Sequence, residues 1–182
     1  MRWGTWAAAA VVAAGSAALL ARPWLVRLPV DPVALLVVLF AVLGLVGVLW
    51  RLPAARPGPL PAWAALAIGL GAFGAGRLLA VGTVPAAPLV LRSVALNTLA
   101  AVAEEAFYRR FAYGVAATRW GPVMAVGISA AVFAAVHVTV WGWAVFPLDL
   151  AAGLVLGWQR WASGRWSVPA ATHVAANVWA VV

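Results

Sequence analysis

The chain lacks cysteine and lysine, and only four of its 182 residues are acidic. Without cysteine, disulfide bonds, thiolate catalysis and zinc sites of the cysteine type are excluded. Charged residues make up 9% of the sequence, whereas a soluble globular domain carries about a quarter. Because hydrophobic residues make up 66% of the chain, the composition excludes a disordered protein and a soluble enzyme, and it indicates a membrane protein.

The basic residues are all arginine and give a formal net charge of +8. They stand singly or in pairs between apolar runs and not in the stripe that follows a phosphate backbone, so the sequence predicts no nucleic-acid partner. A chain rich in alanine, arginine and tryptophan without lysine is typical of a GC-rich prokaryote, which predicts a prokaryotic cell membrane. Arginines favour short cytoplasmic loops, and their distribution predicts a cytoplasmic N-terminus. The inner side would carry Arg2, Arg51, Arg56, Arg110, Arg119, Arg160 and Arg165, and the outer side Arg22, Arg27 and Arg92.

Apolar runs of spanning length divide the chain into about seven segments. A helix needs about 20 predominantly apolar residues to cross roughly 30 Å of hydrocarbon, and tryptophans near the segment ends support the division. The sequence therefore predicts an all-α, polytopic transmembrane helix bundle in a single integral membrane domain, 1–182, with proline-containing linkers at 56–59 and 84–85. The predicted segments are Trp3 to Ala21, Val33 to Trp50, Ala62 to Ala80, Leu91 to Thr118, Pro122 to Val140, Val145 to Trp158 and Val168 to Val182.

A small set of polar residues inside these segments forms the candidate site, because ionisable groups at membrane depth are costly and usually functional. Glu105 and Arg109 are four residues apart, so on a helix they share a face and can pair. Glu104 lies about 100° around that helix without an adjacent cation, which suits a general base acting on water. The candidates are Glu104, Glu105, Arg109, His137, His173 and Asn177.

Each of these residues also has a purely structural interpretation. Two adjacent glutamates can mark a helix end in the headgroup region, a lone histidine often packs through a hydrogen bond, and an asparagine can join two helices. Nearly every ionisable side chain outside the arginine flanks belongs to this one candidate set, which favours the functional interpretation over the structural one. Elsewhere, Gly153 and Gly157 form a small-xxx-small pair, which predicts close packing of helices.

Three motifs carry a family resemblance. They are Glu104-Glu105-Ala-Phe-Tyr-Arg109, Phe133-Ala-Ala-Val-His137 and His173-Val-Ala-Ala-Asn177, which match Glu-Glu-x-x-x-Arg, Phe-x-x-x-His and His-x-x-x-Asn. In this order the chain resembles the CAAX-protease and bacteriocin-processing (CPBP, Abi) family of intramembrane proteases. The similarity covers 94–182 and leaves 1–90 as N-terminal helices. One departure is Arg110, where the family motif usually has glycine.

The resemblance implies an intramembrane endopeptidase that hydrolyses a peptide bond with a glutamate- and histidine-activated water. Glu104 would be the general base, and Glu105 its partner held by Arg109. His137 would position or activate the water, and His173 with Asn177 would stabilise the oxyanion. The substrate would be a peptide or protein, membrane-associated or lipidated, with maturation favoured over prenyl-protein trimming.

The family has also been described as metal-dependent, so a divalent metal such as zinc on Glu104, His137 and His173 is a further expectation. Two non-proteolytic alternatives stay open: an inactive family member with an immunity or chaperone role, or a proton-coupled small transporter. Glu104 is expected near mid-membrane and His137 near the outer end of its helix. Their meeting would require helix tilt or a re-entrant turn after Glu105.

Overall fold

The computed structural model of the protein describes residues 3–53, 56–79 and 91–181. Within these residues all regular structure is helical, because long apolar runs favour helices that satisfy their own backbone groups. Asp31 caps the second long helix by accepting from the Val33 amide at 2.9 Å. The helices are α1 (Trp3–Leu20), α2 (Arg22–Leu25), α3 (Pro32–Leu49), α4 (Ala62–Leu79), α5 (Leu91–Glu105), a π-helical segment (Ala106–Ala112), α6 (Tyr113–Trp141), a 3₁₀ turn (Trp143–Val145), α7 (Phe146–Ser163) and α8 (Ser167–Val181).

The predicted all-α transmembrane bundle is confirmed. By length and composition, Pro32–Leu49, Ala62–Leu79 and Ser93–Trp141 are able to cross a membrane, and Trp6–Leu20 is a shorter apolar helix. Gly121, at φ 80° and ψ 171°, interrupts the longest of these stretches and divides it into two helices. The described part of the chain thus contains seven long helices. The linker at 56–59 is non-helical as predicted, whereas 84–85 lies outside the described residues.

The fold differs from the predicted segments in an additional short helix and in the end of α7. The four-residue helix α2 was not predicted, and α7 continues five residues past Trp158 to Ser163. The extension persists because its polar side chains find partners on other helices. Gln159 is fully buried, and its amide donates to the Ala65 carbonyl at 2.9 Å and to the Thr172 hydroxyl at 2.8 Å.

The predicted glycine contact joins α7 to α6, its most extensive packing partner. A Cβ atom added to Gly153 would lie 3.0 Å from the Cα of Ala130, and one added to Gly157 would lie 3.1 Å from Cγ1 of Val126. The missing side chains therefore allow the backbones to approach. This contact fixes α7 against the half of α6 that carries His137.

The segment after Glu105 continues as a helix, so the re-entrant turn considered from the sequence is absent from this described stretch. Instead, residues 106–112 are π-helical, a rare geometry that is frequent at functional sites. Its aromatic residues are buried and pack against α3, where Gly47 lies directly on the backbone of Ala106. Arg110 also donates to the carbonyls of Gly47 and Trp50. The π-helical segment thus holds the residues around Arg109 deep in the bundle.

Candidate active site

The adjacent carboxylates end α5 and are both buried, with 3% of Glu104 and none of Glu105 exposed. Buried charges in an apolar bundle need partners. Those partners come from helices that are distant in sequence but packed around the end of α5. The site is therefore assembled by the tertiary fold and not by one motif.

Glu105 lies between a histidine and an arginine. Its Oε1 atom is 3.1 Å from Nδ1 of His173 on α8, and its Oε2 atom is 3.5 Å from Nε of Arg109. Arg109 is fully buried and also donates to the Gly153 carbonyl at 3.3 Å. The pair expected from the four-residue spacing of Glu105 and Arg109 is present. Glu105 additionally holds the imidazole of His173.

Glu104 divides its two oxygens between α6 and the N-terminal helices. Oε2 lies 3.8 Å from Nε2 of His137, and Oε1 lies 3.6 Å from Nη1 of Arg22. The expectation that Glu104 has no cationic neighbour is therefore wrong. Sequence reasoning placed Arg22 in an outer loop, and its position just after an apolar helix was the one available signal.

The hydrogen bond of His137 determines how its ring faces Glu104. Nδ1 lies 2.7 Å from the carbonyl oxygen of Phe133, which can only accept, so Nδ1 carries the hydrogen. In the neutral ring Nε2 is then an acceptor, and it faces the carboxylate of Glu104 at 3.8 Å. Two acceptors at this separation suit a water molecule that donates to both. His137 reaches Glu104 although the two residues were predicted at different depths.

Phe133 provides a common packing surface for the charged groups. Its ring centroid lies 4.6 Å from the guanidinium carbon of Arg109, 4.5 Å from the ring centroid of His137 and 5.6 Å from that of His173. A cation over an aromatic face is stabilised by the ring's quadrupole. The aromatic residue of the second motif thus contacts a residue from each of the three motifs.

The last motif residue, Asn177, lies at the edge of this set. Its amide donates to the backbone carbonyl of Asn97 at 3.4 Å. An unpredicted carboxylate is also present: Oδ2 of Asp149 lies 4.0 Å from Nδ1 of His137. An acidic residue inside an otherwise apolar segment was the signal that could have identified Asp149.

The residues expected to hold a metal are Glu104, His137 and His173. Among the described residues, no three histidine, cysteine or acidic side chains are arranged to hold a metal ion. Nδ1 of His173 faces Glu105, an arrangement that is usual for metal-bound histidines, whereas the cationic guanidinium of Arg22 beside Glu104 disfavours a divalent cation there. A divalent metal on Glu104, His137 and His173 stays a prediction.

Comparison with known proteins gives one informative result. No curated protein and no solved structure matches the chain. The model of one protein family matches residues 85–179, a range that contains all three motifs and the carboxylate–histidine contacts described above. Since this range is more than half of the chain, the protein belongs to the Type II CAAX prenyl endopeptidase Rce1-like family.

Proposed function

We propose that the protein is an intramembrane endopeptidase that uses water activated by Glu104 and His137. Membership of an endopeptidase family supports proteolysis at the level of the reaction class. The observation that carries the mechanism is the 3.8 Å separation of Oε2 of Glu104 and Nε2 of His137, two acceptors that face each other. Water placed between them would donate a hydrogen bond to each, with its oxygen lone pair available for attack.

The reaction then proceeds in two steps. Glu104 accepts a proton as the water oxygen bonds to the scissile carbonyl carbon, which gives a tetrahedral intermediate with a negatively charged oxygen. Collapse of this intermediate breaks the carbon–nitrogen bond, and Glu104 returns the proton to the leaving amine. One water is consumed, and a carboxylic acid and an amine are released.

His173 is proposed to stabilise the negatively charged oxygen. Its Nδ1 hydrogen is directed at Glu105, so its Nε2 atom donates a hydrogen bond only in the doubly protonated ring. Glu105 orients that ring through Nδ1, and Arg109 lies beside Glu105 at 3.5 Å. Asn177, one helical turn after His173, would add a second donor.

The proposed substrate is a peptide or protein that is membrane-associated or lipidated, and the proposed setting is a prokaryotic cell membrane with the N-terminus in the cytoplasm. A charged site enclosed by apolar helices favours a substrate segment that partitions into the bilayer. A metal on Glu104, His137 and His173 would polarise the carbonyl or the water when bound. Metal analysis of the active protein tests this point.

The experiment compares purified wild-type protein with Glu104→Gln on a fluorescence-quenched library of transmembrane and prenylated peptides in detergent. Loss of a general base is expected to lower kcat by about 10²-fold to 10⁴-fold. Asp31→Asn is the matched control, because asparagine still caps α3. Equal cleavage by wild type and Glu104→Gln would overturn the mechanism. Proton-coupled transport that depends on Glu104, without proteolysis, would favour the transporter.

A further inference from the structure

Arg22 is held against Glu104 from several directions. Its Nε atom donates to the Leu19 carbonyl at 3.1 Å, its Nη1 atom lies 3.6 Å from Oε1 of Glu104, and its guanidinium carbon is 5.9 Å from the ring centroid of Phe40. Only 14% of the Arg22 side chain is exposed. The contacts come from α1, α3 and α5, so the guanidinium is fixed by the bundle and not by a flexible loop.

The placement of Arg22 affects the oxygen that the proposed reaction uses. A carboxylate is planar, so an ion pair on Oε1 of Glu104 restricts the direction in which Oε2 points. Oε2 is the atom that faces His137. We propose that Arg22 is a positioning residue that aims Glu104 at the water site. This inference rests on the proposed function, and it adds α1 and α2, which lie outside the family match at 85–179, to the functional unit.

Arg27 offers a matched control for Arg22. Both residues line a cavity of about 450 Å³ together with Phe40 and Asn97. Arg27 is exposed, whereas Arg22 is largely buried and paired with Glu104. If positive charge in this cavity acted directly on the substrate, substituting either arginine would change the kinetics. If Arg22 acts through Glu104, only substitution of Arg22 would change them.

The test measures kcat and KM for Arg22→Gln, Arg22→Lys and Arg27→Gln. Misorientation of a reacting group costs up to about 100-fold, so Arg22→Gln should lower kcat by about 10-fold to 100-fold with KM nearly unchanged. Arg22→Lys should recover part of kcat, and Arg27→Gln should match wild type in kcat. Wild-type kcat in folded Arg22→Gln, or an equal loss in Arg27→Gln, would overturn the proposal.

A stability measurement separates this inference from the proposed function. Thermal unfolding of wild type, Arg22→Gln, Glu104→Gln and the double variant forms a double-mutant cycle. Removing one partner leaves the other charge buried and unpaired, so the double variant should lose less stability than the two single variants together. If wild type shows no proteolysis, the proposed function fails, while the cycle still decides whether the pair forms. Additive losses would show that it does not.

A second, independent feature is a cavity of about 840 Å³ at the end of the bundle where α3 and α7 terminate and α4 and α8 begin. Arg56, Arg110 and Arg160 line it, and none of the four acidic residues of the chain does. Arg110 is the residue that replaces the usual glycine of the first motif. Trp161 and Trp166 also line the cavity, as expected for indole rings at the level of lipid headgroups.

Three guanidinium groups without an acidic side chain among them make this cavity favourable for an anion. Arginine binds phosphate through paired hydrogen bonds and charge. Arg110 uses Nη1 for the carbonyls of Gly47 and Trp50, and Arg160 uses Nε for the Arg109 carbonyl at 2.9 Å. Each keeps further donor nitrogens that the described hydrogen bonds do not use. We infer that this cavity binds a phosphate group, such as that of an anionic lipid headgroup.

The test compares thermal unfolding midpoints in phosphatidylcholine nanodiscs and in nanodiscs that contain phosphatidylglycerol. A bound ligand in large excess should raise the midpoint by about 5 °C. This increase in the midpoint should be smaller in Arg56→Gln, because Arg56 lines the cavity and is exposed enough for the substitution to leave the fold intact. Arg119→Gln is the control: Arg119 is exposed and lies outside the cavity, so the increase should persist.

Inorganic phosphate added in detergent distinguishes the two sources of the anion. An equal rise with inorganic phosphate, also lost in Arg56→Gln, would support the cavity but assign it to free phosphate. The absence of a rise in both arms, or an undiminished rise in Arg56→Gln, would overturn the inference.

Discussion

The imidazole of His173 on α8 is held by the carboxylate of Glu105 on α5, with 3.1 Å between Nδ1 and Oε1. The same carboxylate lies 3.5 Å from the guanidinium of Arg109. Glu105 therefore joins the first and third motifs, whereas Glu104 contacts the second. Adjacent residues of one helix thus have different neighbours and, in the proposed reaction, different tasks.

Glu105→Gln should destabilise the protein and lower its proteolytic activity. The variant keeps the size of the side chain but leaves Arg109, which is fully buried, without a carboxylate partner. Breaking a buried pair in this way costs about 3–5 kcal/mol. Denaturant unfolding in detergent measures the change in unfolding free energy, with Asp31→Asn as control. A loss no larger than that of the control would contradict the role given to the Glu105–Arg109 pair.

Asn177→Ala should lower kcat by about 10²-fold if its amide stabilises the oxyanion. Asn97→Ala is the matched control, because Asn177 donates to the backbone carbonyl of Asn97, which that substitution retains. Steady-state kinetics on the same peptide compares the two variants. An unchanged kcat in folded Asn177→Ala would limit this residue to joining α5 and α8.

The fold was largely predictable, because apolar runs and their proline or glycine boundaries determine where helices lie. The predicted end of α7 was wrong because Arg160 and the neighbouring tryptophans Trp158 and Trp161 resembled an interfacial flank. In the structure the side-chain nitrogen of Gln159 donates to the Ala65 carbonyl and to the Thr172 hydroxyl. Such partners belong to other helices, so a sequence pattern does not reveal them. The π-helical segment was also unpredicted.

The candidate site was predictable where its chemistry is local. The spacing of Glu105 and Arg109 implies a shared helix face, and the structure contains that pair. The neighbours of Glu104 and His137 depend on packing, and this explains why Arg22 and Asp149 were missed. Each lies on a different helix from the residue it approaches. Neither the arginine next to α1 nor the single aspartate in α7 stands at a fixed spacing from Glu104 or His137, so no sequence pattern predicts these contacts.

Phe133→Leu should reduce activity more than it reduces stability. The leucine fills part of the space but removes the aromatic face over which Arg109 lies and against which both histidines pack. Phe111→Leu is the matched control, because Phe111 is fully buried among other aromatic residues of the same core. We expect both variants to lose about 1 kcal/mol of stability, with a fall in kcat only for Phe133→Leu. Equal kinetic effects would assign Phe133 a packing role alone.

Gly153→Ala should destabilise the bundle by about 1–3 kcal/mol. The new Cβ atom would lie 3.0 Å from the backbone of Ala130, so α7 and α6 must separate. Because the Gly153 carbonyl also accepts from Arg109, that separation should lower kcat as well. Gly71→Ala controls for helix propensity, since a Cβ atom there meets no atom within 4 Å; alanine favours a helix by up to about 1 kcal/mol over glycine. The unfolding free energy and kcat are measured for both variants. A Gly153→Ala protein as stable and as active as Gly71→Ala would show that the close contact between α6 and α7 is not required.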